Sequence, residues 1–294
     1  MSSTKNKLTV LTTVYPPISS AEAVRLMRVP AVEEMLRTSD FYMIGARAQA
    51  RLSDLQFDQD TNTMSFDFSI GDGPPNPVHV ALPELPGVKA LKCEDFIVEI
   101  DKAGSGFKVW DKAGPKTGQE PAEWFTTEML LWDRTRGRPG IYGLDNCRDL
   151  ATYDLLYVGI AKVGDSFDRL LARGHKARQE ILSSEHARAP GARPSDEIFL
   201  FMFKAEPLIM TTFDFDHEFT DEDLSGDYDA KRIVADAEKA FVHLLDPPYN
   251  REKFINYPKG KDGLFGQGYR RYGYVIGEQM AFNTPQGRVR GGVD

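Results

Sequence analysis

The feature that most constrains this chain is the order of its apolar runs between residues 140 and 245. Strand-length runs at 140–144 and 155–160 precede a helical pattern from Ser166 to Ser183. A further strand-length run at 198–204 and a helical pattern from Lys231 to Leu245 follow. Runs of these lengths and periods bury their apolar sides only by packing helices against a sheet, which places the region in the α/β class, of the α+β type.

Residues 1–125 read as a separate mixed α/β region. Ser20-Ala21-Glu22 opens a capped helix, Pro30 interrupts it, and Val32–Leu36 forms a second helical piece. Met64–Ile70 alternates as a strand does, and Gly71–Pro77 is a turn. Phe96–Ile100 and Phe107–Trp110 flank Ala103-Gly104-Ser105-Gly106, a hairpin pattern. Gly114-Pro115-Lys116-Thr117 is excluded as a phosphate loop, because Pro115 intrudes where backbone N–H groups would cradle phosphate. The texture changes near residue 126, and Tyr272–Ile276 gives the tail, 259–294, a hairpin-like pattern. The expected domains are therefore 1–125, 126–258 and 259–294.

With 294 residues the chain has room for one large domain or two ordinary ones. Its net charge of −8 argues against a protein that coats nucleic acid, but leaves room for a local basic cleft. Asp214, Asp216, Glu218, Asp221, Glu222, Asp223, Asp227 and Asp229 form a dense acidic run, read as a solvated insertion, with a second metal site as the alternative. His217-Glu218 does not extend to the HExxH pattern of zinc proteases. Lys162, Arg169, Arg173, His175, Lys176, Arg178, Arg188 and Arg193 form a basic stretch suited to backbone phosphates. No apolar run approaches the roughly 20 residues of a membrane span, and Pro16-Pro17 breaks the first one, so a cytoplasmic protein is expected. Cys93 and Cys147 form no CxxC pair, which disfavours a disulfide framework or a cysteine-rich zinc site.

Six landmarks stand in order: Gly140-Ile141-Tyr142, Tyr157-Val158-Gly159, Arg169, His175, Glu238 and Asp246-Pro247-Pro248-Tyr249-Asn250. Together they resemble the GIY-YIG nuclease family over about residues 138–258. The resemblance implies a small three-stranded antiparallel sheet flanked by helices. It also implies a catalytic set of Tyr142, Tyr157, Arg169, His175, Glu238 and Asn250, with Mg²⁺ (or Mn²⁺) held by Glu238. Tyr157 would orient or deprotonate the attacking water, with Tyr142 hydrogen-bonded close by. Two departures stand out: the Tyr142–Tyr157 interval is longer than usual, and Ile160 takes a place where some relatives have lysine, leaving Lys162 as the nearest.

The residue types suit the chemistry. Phosphodiester hydrolysis needs an activated water, charge relief at phosphate and stabilisation of the leaving oxygen. A carboxylate can hold one Mg²⁺ that keeps several waters, and arginine offers a planar fork to phosphate. Lys162, Arg173, Lys176 and Arg178 are the expected substrate-binding cations. Each residue also has a structural reading: phenols buried in strands, Arg169 paired with Asp165, His175 at a helix end, Glu238 paired with Arg232 or Lys239, Asn250 in a turn. The expected activity is an endonuclease acting on nucleic acid, with DNA the expected partner, in restriction or phage defence. Residues 1–125 would then serve recognition, homodimer formation or control. The alternatives are a non-cleaving nucleic-acid-binding protein on the same scaffold, and a small-molecule hydrolase or scaffold.

Overall fold

Phe41-Tyr42-Met43-Ile44-Gly45-Ala46 shows no polar alternation, and the chain uses it as a strand buried along its whole length. A strand of that kind belongs in the middle of a sheet covered on both faces. The computed structural model describes residues 4–91, 96–101, 104–115, 120–162, 164–213 and 228–292. In chain order its strands are β1 (Thr4–Thr13), β2 (Ile18–Ser19), β3 (Phe41–Ala46), β4 (Ala50–Asp58), β5 (Thr63–Ile70), β6 (Asn76–Ala81) and β7 (Phe96–Ile100). They continue with β8 (Gly106–Asp111), β9 (Glu123–Thr126), β10 (Ile141–Gly143), β11 (Thr152–Ile160), β12 (Ile198–Thr212), β13 (Tyr269–Ile276), β14 (Ala281–Thr284) and β15 (Gly287–Arg290).

These elements divide into two compact units that do not follow the expected boundaries. The first gathers Met1–Ala46, Thr152–Glu185 and Ile198–Asp294; the second comprises Arg47–Ala151 and His186–Glu197. Most of the second unit, Arg47–Ala151, is thus spliced into the chain between β3 and β11, and its short second segment, His186–Glu197, precedes β12.

The first unit is built on an eight-stranded mixed sheet of order β13-β1-β12-β3-β11-β14-β15, with β2 paired to β12. The α/β class holds, but the sheet is not the small three-stranded one expected. The reason lies in β12, whose ladder runs on past the buried segment. Its distal half pairs with β1 from Thr4↔Thr212 to Thr13↔Phe203, and β1 in turn receives β13 in parallel. Tyr272–Ile276 therefore lies in a long-range parallel pairing, and the hairpin of the tail is β14–β15.

The core is aromatic. Tyr153 lies 5.3 Å from Phe199 and 4.8 Å from Phe201, and Phe201 lies 5.0 Å from Phe282. A long helix, Ala230–Leu245, packs on this sheet. Asp229 caps it by accepting from the Arg232 N–H at 3.0 Å. Ile233, Val234, Ala237, Ala240 and Phe241 recur at helical spacing and are buried, with the Phe241 ring 5.5 Å from Phe41. Burying one such phenylalanine contributes on the order of 2 kcal/mol. Asp246, left-handed at φ 49°, ends the helix just before Pro247-Pro248.

The single helix expected over 166–183 is broken. A π-helical turn at Asp168–Ala172 gives way at Gly174, whose φ is +73°, and a new helix runs from Lys176 to Ser184.

The second unit holds a four-stranded sheet, β10-β6-β5-β4, and a three-stranded one, β7-β8-β9. The alternating Met64–Ile70 run lies in β5, and the expected hairpin forms as β7–β8, registered from Phe96↔Asp111 to Ile100↔Phe107. Buried charges there are paired: Arg47 with Glu128, and Arg138 with Asp133 at 2.8 Å and Glu123 at 2.5 Å. Cys147 is a buried thiol, whereas Cys93 lies outside the described residues. Lys116, Thr117 and all of the acidic run but Asp229 also lie outside them.

Candidate active site

Two neighbouring strands bring two phenols together. β3 and β11 pair antiparallel with Tyr42 opposite Gly159, and a register irregularity falls between Leu155 and Tyr157. Such a bulge re-aims the side chain beside it. The Tyr42 and Tyr157 rings stack with centroids 6.1 Å apart. Gly159 has to be glycine: a Cβ there would stand 2.6 Å from the Tyr42 hydroxyl and 2.8 Å from the Tyr157 ring. Burial pushes both phenols above their ordinary pKa, and does so strongly for Tyr42, which is 1% exposed. Tyr157 is the half-buried one, able to meet solvent.

His175 fixes the direction of the hydrogen bonds. It is the N-cap residue of the Lys176–Ser184 helix, and its Nδ1 accepts from the Arg178 backbone N–H at 3.1 Å. Burial, with the Arg169 and Arg178 charges, holds its pKa down to about 4, so the ring is neutral at pH 7. With Nδ1 serving as acceptor, the proton sits on Nε2, which donates to the Tyr42 hydroxyl oxygen at 2.9 Å. The Tyr42 hydrogen is thereby directed elsewhere, and as a donor to Tyr157 it favours that phenolate. The chain of donors runs from helix to imidazole to Tyr42 to Tyr157.

Arg169 is exposed on the π-helical turn and hydrogen-bonds the Tyr42 side chain, favouring its ionised form. The expected alternative partner, Asp165, is held at 2.9 Å by Arg37, which also takes Asp168 at 2.9 Å. Glu238 acts electrostatically on both phenols. Burial lifts its own pKa to about 7; Lys162 and Lys239 pull it down, while Glu252 and Asp262 push it up. Lys239 is itself engaged by Asp262. Among the described residues no group of three His, Cys, Asp or Glu side chains is gathered to hold a metal. A divalent ion held by the Glu238 carboxylate would fit Mg²⁺, which needs only one or two protein carboxylates, keeps several waters and meets substrate phosphates.

Asn250 is buried and acts as a splint. Its side-chain oxygen accepts from the Val158 N–H at 2.9 Å and its amide nitrogen donates to the Val158 carbonyl at 2.8 Å. Tyr249 adds a backbone bond to the Leu156 carbonyl at 3.1 Å. The closing segment thus runs along β11 beside Tyr157, which makes Asn250 a positioning residue.

Tyr142, expected to be hydrogen-bonded close to Tyr157, has Glu84 as its partner instead and lies in a different sheet. Ile141-Tyr142-Gly143 is β10 of the second unit, paired antiparallel with β6, and the exposed Tyr142 donates to Glu84 at 2.5 Å. The strand beside Tyr157 is β3, and the second phenol is Tyr42. A continuous apolar run of strand length around Tyr42 was the available signal. Among the expected substrate cations, Arg178 is also corrected. Its guanidinium is half-buried and donates to the carbonyls of Leu170 at 3.2 Å and Ser20 at 3.1 Å, which ties it to the protein interior rather than to solvent. Lys162, Arg173 and Lys176 are exposed, with Arg173 at 3.3 Å from Asp168.

No family model matches the chain, and neither a curated protein nor a solved structure does. No helix among the described residues is long and apolar enough to cross a membrane.

Proposed function

We propose that the first unit is a metal-dependent endonuclease of the GIY-YIG type that hydrolyses phosphodiester bonds of nucleic acid, with DNA the preferred substrate. The carrying observation is the convergence of Tyr42, Tyr157, His175, Arg169 and Glu238, contributed by β3, β11, two helical segments and the long helix. This combination supplies the requirements of the reaction. Mg²⁺ or Mn²⁺ at Glu238 would neutralise phosphate charge and stabilise the leaving oxygen. Arg169 presents a guanidinium fork to the phosphate. Tyr157, facing solvent, takes the proton of the attacking water. Ionising an ordinary tyrosine at pH 7 costs roughly 4 kcal/mol, and burial adds to that. The donor chain from His175 through Tyr42 offsets part of the cost, and the Arg169 charge a smaller part.

The second unit would serve target recognition or control. A non-cleaving nucleic-acid binder on the same scaffold is the competing outcome.

The test is nicking of supercoiled plasmid with Mg²⁺ or Mn²⁺ by wild type, Glu238→Ala and Tyr157→Phe. Metal-dependent cutting that both substitutions abolish supports the reading. Wild-type protein that leaves DNA and RNA intact under both metals, or a Glu238→Ala protein that cuts as fast as wild type, overturns it. Because Glu238 must ionise to bind a cation, apparent metal affinity is expected to rise about tenfold per pH unit below about pH 7, and to level off above it.

A further inference from the structure

Residues 251–271 carry Arg251, Lys253, Lys259, Lys261, Arg270 and Arg271 against only Glu252 and Asp262, in a chain of net charge −8. The stretch is glycine-rich, yet it is pinned beside Glu238 from the helix that bears that residue. Asp236, fully buried, accepts from the Leu264 N–H at 2.7 Å, the Tyr257 hydroxyl at 3.1 Å and the Tyr274 hydroxyl at 2.5 Å. A Cβ at Gly263 would stand 2.4 Å from Asp236, so the backbone can come this close only as glycine. Arg232 donates to the Lys261 and Gly263 carbonyls at 3.2 and 3.1 Å, and Lys239 pairs with Asp262. The same helix thus bears Glu238 and holds the loop.

What the loop offers outward is cationic and apolar. Lys259, Lys261, Arg270 and Arg271 are exposed and enter no side-chain hydrogen bond or ion pair among the described residues. Ile255 is 81% exposed and Phe265 47% exposed, although Leu264 between them is buried. Cations without a partner among the described residues, interspersed along one segment with exposed apolar side chains, match a nucleic-acid strand, whose phosphates take the cations and whose bases take the ring.

We propose that the 251–271 segment is the wall along which bound DNA runs, with phosphates on Lys259, Lys261, Arg270 and Arg271 and a base step against Phe265 and Ile255. The proposal rests on the nuclease reading of Glu238 for its orientation, but binding can be measured without cleavage. Fluorescence anisotropy of the full chain is recorded in EDTA, with a labelled duplex and with its single strand, over a series of salt concentrations. Lys259→Gln/Lys261→Gln is expected to weaken binding about tenfold and to make the log–log salt slope shallower by nearly 2 on duplex. Phe265→Ala is expected to weaken binding about tenfold with the slope unchanged, and more on the single strand if the ring stacks on a base. Arg25→Glu, at an exposed arginine of the first unit outside both the cluster and the segment, controls for net charge and is expected to have no effect. Affinity and slope equal to wild type in both loop variants overturn the proposal, even where cleavage is intact. DNA that is bound through the loop but never cut overturns the nuclease reading and leaves the wall standing. Wild type that binds neither form overturns both.

Discussion

The buried ion pairs of the second unit and the clustered groups of the first handle charge differently. In the second, buried charge meets buried counter-charge: Arg47 and Glu128 are 6% and 4% exposed and lie against each other, and Arg138 serves both Glu123 and Asp133. In the first, the clustered groups are driven toward their uncharged forms. Burial lifts Glu238 to about 7, lowers His175 to about 4, and raises both Tyr42 and Tyr157. Paired burial fixes a structure, because removing one partner strands the other. Burial without a matching counter-ion costs stability and leaves groups that gain when a cation or phosphate arrives, which is the mark of a site. The two exposed to solvent chemistry differ accordingly: Tyr142 points outward to Glu84, while Tyr157 lies in the hydrogen-bonded cluster.

The contrast can be broken or sharpened by substitution. The largest expected effect is on cleavage: Glu238→Ala and Tyr157→Phe should each lower the plasmid-nicking rate by about 1,000-fold, roughly 4 kcal/mol. A loss below tenfold in both would show that the cluster is only packing. Next, Glu128→Ala removes the carboxylate that faces the buried Arg47 guanidinium, which keeps carbonyl contacts such as that to Leu150 at 2.7 Å, and urea unfolding should register a loss of about 3–5 kcal/mol. A loss under 1 kcal/mol would erase the distinction between the units.

The third test works through proton linkage. The folded pKa of Glu238 lies above its ordinary value of 4.5, so the folded state is penalised once the group ionises. The penalty is absent near pH 4.5 and complete above about pH 7. Glu238→Gln should therefore stabilise the metal-free protein at pH 8 by on the order of 2 kcal/mol, and hardly at all at pH 4.5. Thermal melts at both pH values decide it; a gain of equal size at each would assign the effect to something other than charge. The smallest effect belongs to Tyr142→Phe, expected to leave the nicking rate within about twofold and stability within about 0.5 kcal/mol of wild type. A rate loss as large as that of Tyr157→Phe would return Tyr142 to the site.

Local pattern made some of this readable in advance. The long helix showed its apolar period, and β11 its apolar run, so Tyr157 and Glu238 were assigned to the right elements. Pattern failed where pairing is distant. Gly140-Ile141-Tyr142 has the spelling of a signature strand, but β10 pairs with β6, and no local feature says which strand lies beside which. The apolar run of β3 is visible locally, but its place beside β11 is not, because residues 47–151 separate the two in the chain. The same limit hid the parallel pairing of β13 with β1, between opposite ends of the chain. The helix expected over 166–183 erred differently: Gly174 is a visible breaker that the apolar period overrode.

Ala46 and Asp154 are register partners, so the chain departs from the sheet for the second unit and rejoins it at facing rungs of one ladder. The sheet needs nothing from the intervening stretch but that its two ends emerge together. Closing a longer or shorter excursion between fixed ends changes the entropy only slowly, by about 0.6 kcal/mol for each doubling of length. The phenol-bearing strands can thus stay in step while the 47–151 stretch between them grows, shrinks or is exchanged, without any change in their own pairing.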